Sequence, residues 1–147
     1  MNKSQRLGWR PIAAAYLVCL LGLALLDAVW LGYVAADFYR DRIGHLMAAT
    51  PRVDAAVAFY LIYPAAIVLF AIKPAIDASS PSRGAKLGAA FGFFAYATYD
   101  LTNLATLRDW SVPVSVLDVA WGAAISAVLA WLGHLAACAV VRKRRDP

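Results

Sequence analysis

Three aspartates, Asp27, Asp100 and Asp118, interrupt long apolar runs in a chain of 147 residues. A carboxyl in such a run can carry a proton, serve as a general acid or base, hold a cation, or accept hydrogen bonds from a neighbouring helix. The stretch FFAYATYDLTNLATLRDW, Phe93 to Trp110, starts greasy and aromatic and then gathers Tyr99, Asp100, Thr102 and Asn103. Asp100 and Asn103 are three apart, so they share a helix face, with Tyr96 and Tyr99 on or beside it. Two further segments look alike: LLDAVWLG places Trp30 three residues after Asp27, and VLDVAWGA places Trp121 three residues after Asp118. An indole at that spacing lies over the face of the acid, where its N–H can donate or its ring can wall a pocket. FYLIYP adds Tyr60 and Tyr63, and Pro64 leaves the Tyr60 carbonyl without its helical partner.

Other reactive residue types are sparse. Cys19 and Cys138 both sit in apolar runs without a Cys-x-x-Cys spacing, so they read as small packing residues and no metal site is expected. His45 falls in a loop, and His134 falls in the last apolar run, away from the acids. No cofactor motif is present, and no cofactor is expected.

The elements that must position these groups are membrane helices. The chain is 63% hydrophobic and only 16% charged, well above the roughly 45–50% apolar content of soluble domains. One soluble core of this size could not hide that surface, so the lipid bilayer is the expected partner. The formal net charge of +5 is concentrated at the ends and in the loops, which reads as topology and not as a nucleic-acid footprint. A window of about 19 residues finds four candidate spans, at 11–36, 55–72, 87–107 and 112–141. The expected fold is an all-α membrane protein, a four-transmembrane-helix bundle forming a single integral domain over 1–147. The first span has a basic start and a small-residue end, but its apolar stretch exceeds the 7–15 residues of a signal peptide.

Lys and Arg set the orientation. Lys3, Arg6, Arg10, Lys73, Arg83, Lys86, Arg142, Lys143, Arg144 and Arg145 fall on one side, against Arg40, Arg42, Arg52 and Arg108 on the other. The positive-inside rule then places both termini in the cytoplasm, as expected of a bacterial inner-membrane protein. Threaded onto this topology, Asp27, Asp100 and Asp118 all lie roughly 9–14 Å below the outer boundary, at 1.5 Å per residue. Tyr60 and Tyr63 of the second span reach the same level.

An aspartate facing lipid costs up to about 2.5–3.5 kcal/mol, so the three acids should face inward. The spans hold no Lys or Arg at that depth. The acids could be protonated and hydrogen-bonded, share a cation, or meet loop arginines reaching into a wet, outward-opening pocket. Gly84, Gly88 and Gly92, spaced by four, mark a face for close helix packing, within the chain or between chains. Pro74 should close the second span, and Ser79, Ser80, Pro81 and Ser82 should make a short polar cytoplasmic loop.

YDLTNLATLRDW followed by LDVAWG resembles the signature of a bacterial family of predicted membrane proteins, domain of unknown function 2177. DAVWLG and FYLIYP fit the same pattern, and the resemblance covers most of the chain. It implies a four-span inner-membrane protein and brings no activity, substrate or catalytic residue.

Three functions compete. The first is a binding or transport module that holds a small or lipid-like molecule, or passes a proton, through Asp27, Trp30, Tyr60, Tyr63, Tyr99, Asp100, Asn103, Asp118 and Trp121. The second is a membrane-embedded enzyme using one aspartate as acid or base on a lipid or isoprenoid, although no histidine or strong nucleophile shares that depth. The third is a structural accessory subunit, a homodimer or the companion of another membrane protein, with the acids as interhelical glue.

Overall fold

The structure, a computed structural model, describes residues 8–143. Lys3, Arg6, Arg144 and Arg145, which contribute to the charge count, lie outside the described residues. The fold is all-helical, 88% helix, with no strand among the described residues. Helix α1 (Trp9–Val29) is continued by a π-helical turn, Trp30–Val34, and breaks at Ala35, where φ is −114°. A short helix α2 (Ala36–Ile43) follows. Helix α3 (Val53–Ile67) runs through a second π turn, Val68–Ile72, into α4 (Lys73–Asp77). Helices α5 (Pro81–Thr106) and α6 (Val112–Lys143) complete the chain.

Three stretches are long and apolar enough to cross a membrane: Trp9–Val34, Val53–Asp77 and Val112–Lys143, of 26, 25 and 32 residues. Helix α5 has 26 residues, more than the roughly 20 a bilayer needs. Its apolarity falls short because Tyr96, Thr98, Tyr99, Asp100, Thr102 and Asn103 are concentrated in its second half. Part of that polarity is answered within the helix. The hydroxyls of Thr98, Thr102 and Thr106 donate back to the carbonyls of Phe94, Thr98 and Thr102, each at 2.7 Å.

Pro74 does not end its helix, contrary to the sequence expectation. The π turn immediately before it lets Lys73 N–H bond to the Val68 carbonyl, and the helix continues to Asp77. A π turn is one of the local adjustments that accommodate a proline in a long helix. The chain then closes in a Schellman arrangement: Ser80 N–H donates to the Ala75 carbonyl and Ser79 N–H to that of Ile76. Ser79 occupies the left-handed position, φ 50°, usually given to glycine. The Ser80 hydroxyl accepts from Arg83 N–H at 3.2 Å and caps α5, with Pro81 in its first turn.

Helix α6 is the axis of the bundle. One side packs on α1 and the second π turn, where Ala15, Cys19 and Leu23 meet Ile72, Ile125, Leu129 and Ala130, nearly all without exposure. The other side packs on α5 through small residues. Methyl groups added at Gly88 and Gly92 would overlap the Ser126 and Gly122 carbonyl oxygens, and one at Gly122 would enter the Tyr96 ring. These two helices therefore touch backbone to backbone. Large apolar side chains point outward instead, among them Leu21, Leu25, Ile62, Phe94 and Val116, each about two-thirds exposed. An inverted distribution of this kind suits lipid as the solvent.

The glycine contact yields a paired test. Gly92→Ala should destabilise the protein by about 1–3 kcal/mol, as overpacking does. Gly32→Ala, where an added methyl meets nothing within 4 Å, should stay close to neutral. Thermal unfolding of both variants in detergent measures the difference.

Candidate functional site

The acids gather at the end of the bundle where α5 turns into α6, beneath α2. Asp27, 5% exposed on α1, accepts from the Trp121 indole of α6 at 3.3 Å. The Tyr60 hydroxyl of α3 lies beside the same carboxyl. Trp121 stacks on Trp30, with ring centroids 4.1 Å apart and planes within 6° of parallel. The Trp30 indole donates to the Tyr39 hydroxyl at 3.2 Å, and that hydroxyl donates to Asp118 in a short hydrogen bond. The two look-alike segments are thus exchanged across the helix pair. The indole of the α6 copy answers the acid of the α1 copy directly. The indole of the α1 copy answers the acid of the α6 copy through one phenol.

The fold explains how Tyr39 reaches that position. The π turn carries Trp30 and ends with Ala35 N–H bonded to the Trp30 carbonyl at 2.8 Å. Helix α2 then lies across the bundle end and directs Ala35, Tyr39 and Ile43 toward Val114, Trp30 and Trp110. Its charged residues face away from the cluster. Arg40 pairs with Asp37 at the surface, and Arg42 stacks over the Phe38 ring at 3.9 Å. Burial and the adjoining Asp118 carboxylate push the Tyr39 phenol above its ordinary range, which keeps it a donor.

Asp100 is different. It is 0% exposed, and neither carboxyl oxygen has a hydrogen-bond partner among the described residues. Its nearest donors are Ser115 and Trp110: Trp110 Nε1 donates to Ser115 Oγ at 3.0 Å, which leaves the Ser115 hydroxyl proton free beside the carboxyl. Its nearest like charge is Asp118. Leaving a buried polar group unanswered costs about 1–3 kcal/mol, and more for a charged one. No ion pair among the described residues involves any of the three acids, so the loop arginines do not reach them.

The remaining candidates separate. Tyr63 is buried one layer away and pairs with Ser126 at 2.8 Å. Tyr99 is 57% exposed and leans edge-on against Trp110, with Asn103 beside it. Gly84, Gly88 and Gly92 lie on the α6 contact. A cavity of about 290 Å³, lined by Leu135, Cys138, Ala139 and Arg142, lies far along α6 from the acids. Among the described residues no group of three or more His, Cys, Asp or Glu could hold a metal.

Sequence reasoning overlooked Tyr39, Ser115 and the hydrogen bond that Trp110 donates to Ser115. A signal for Tyr39 was present: Ala35, Tyr39 and Ile43 recur every four residues, marking an apolar helix face within an otherwise charged segment.

The chain through Tyr39 can be tested by a double-mutant cycle of Trp30→Phe and Tyr39→Phe. The combined loss of stability should fall short of the sum of the single losses by about 0.5–3 kcal/mol. Strictly additive losses in equilibrium unfolding would mean that this hydrogen bond carries no energy.

Comparison with curated proteins and with solved structures gives no match. The family described as Predicted membrane protein (DUF2177) matches residues 12–135, a range that includes every residue of the acid cluster. The chain therefore belongs to that family of membrane proteins.

Proposed function

We propose that the chain is a four-span protein of the bacterial inner membrane, with α5 crossing as the third of the four spans and both termini in the cytoplasm. In this reading the acid cluster beneath α2 binds and passes a small ligand or a proton. The supporting observation is Asp100: fully buried, without a hydrogen-bond partner, and next to a second acid. Interhelical glue accounts for Asp27 and Asp118, each of which accepts a bond from another element. It does not account for Asp100, whose carboxyl makes no hydrogen bond to another element in the structure. Intramembrane ionisable groups kept at such a cost are functional candidates by default.

The packed surroundings favour a small occupant over a lipid-like one. Asp27 and Asp100 are both buried, and the cover is a short amphipathic helix hinged at Ala35. The enzymatic alternative, an aspartate acting on a lipid or isoprenoid, has less support because among the described residues no histidine or cysteine adjoins the acids.

Proteoliposomes loaded with a pH-sensitive dye and given an external acid step test the reading. Wild type should dissipate the gradient faster than Asp100→Asn at equal folded yield. Equal rates for wild type, Asp100→Asn and empty vesicles would remove proton passage from the proposal.

A further inference from the structure

Resting on the reading above, we infer that Asp100, Asp118, Ser115 and Tyr39 form a site for a dehydrated alkali-metal cation of the sodium class. All four donors are oxygens: two carboxylates, an aliphatic hydroxyl and a phenol. Such hard donors suit hard cations and disfavour copper and zinc, which seek imidazole and thiolate. The four residues come from three elements that meet at one point. Asp100 is on α5, Ser115 and Asp118 are one turn apart on α6, and Tyr39 is on α2.

The independent pointer to an occupant is Asp100 itself. Its carboxyl is 0% exposed and makes no hydrogen bond in the structure, with Asp118, Ser115 and Trp110 as neighbours and Tyr39 near enough to feel its charge. A proton shared between the two acids would answer one oxygen of each and leave the second Asp100 oxygen to the Ser115 hydroxyl alone. A cation contacts both acids at once. Calcium takes six to eight oxygens and magnesium keeps several waters, which this small, buried donor set does not supply. A single positive charge also suits two carboxylates of which one, Asp118, already accepts a hydrogen bond from Tyr39.

Access follows from the same geometry. Tyr39 is the ligand on α2, and α2 joins α1 through the helix break at Ala35. Movement of α2 would withdraw the phenol and uncover Asp100 and Asp118 together.

Protons should compete for the site, because its carboxyls must be ionised to hold a cation. The titratable groups facing Asp100 are Asp118 from α6 and Tyr39 from α2, with Tyr99 on its own helix and Asp27 beyond the tryptophan pair. Trp30, Trp110 and Trp121 surround the cluster and report on it by fluorescence.

The purified full chain in nanodiscs is titrated with sodium chloride against choline chloride at constant ionic strength, near neutral and at mildly acidic pH. The expected result is a saturable fluorescence change with sodium and none with choline, with an apparent affinity several-fold weaker at the lower pH. Asp100→Asn should abolish the change. Ser115→Ala, a gentler variant that keeps both acids, should weaken it several-fold. A response to pH with none to sodium would make the proton the occupant and overturn this inference while leaving the broader reading intact. No response to either would overturn both.

Discussion

A carboxyl placed among apolar helices calls for a partner, and the geometry of this bundle end follows from how two of its three carboxyls are answered and the third is not. Hydrogen bonds to a charged group contribute about 1.5–3 kcal/mol, and a good aromatic stack adds roughly 0.5–1.5 kcal/mol beyond its buried area. Both kinds of interaction meet at the Trp30–Trp121 pair. The stack fixes the register of α1 against α6, and from that register each indole serves the acid of the opposite copy. Asp27 and Asp118 are answered by indole and phenol donors, so no lysine or arginine has to be buried beside them.

The second determinant is the closeness of α5 and α6. Gly88, Gly92 and Gly122 let the two backbones touch, and a methyl at any of these positions would collide with a carbonyl or with Tyr96. From that contact a tight turn carries α5 into α6, with Asp109 in the left-handed conformation, φ 59°. Asp100 is thereby held against the first turns of α6, beside Ser115 and Asp118. The glycines and the unanswered acid are therefore linked: loosening the first would relieve the second.

Much of this was legible in the sequence. Apolar runs and punctuation gave the long helices, and threading the acids onto an alternating topology brought Asp27, Asp100 and Asp118 to one level. The Asp–Trp spacing marked both halves of the exchanged pair. The sequence could not say which indole serves which acid, because i+3 spacing suggests a partner on the same helix, whereas the stack turns each indole to the other one. Tyr39 was hidden because charges at 37, 40, 41 and 42 outweigh a face of only three residues. Pro74 suggested a helix end several residues early, because a π turn leaves no compositional trace, whereas the serines that follow marked the turn correctly. The self-bonded threonines of α5 likewise looked more polar than they are.

The central claim is that two acids are tied into the fold and the third is not. Thermal unfolding of Asp27→Ala, Asp118→Ala and Asp100→Ala in the same detergent tests it most directly. Removing Asp27 strands the Trp121 N–H and removing Asp118 strands the Tyr39 hydroxyl, so both variants should unfold at clearly lower temperature. Removing Asp100 strands no donor and deletes an unanswered buried carboxyl, so its Tm should be unchanged or higher. A fall for Asp100→Ala as large as for the other two would contradict the account and make all three acids structural.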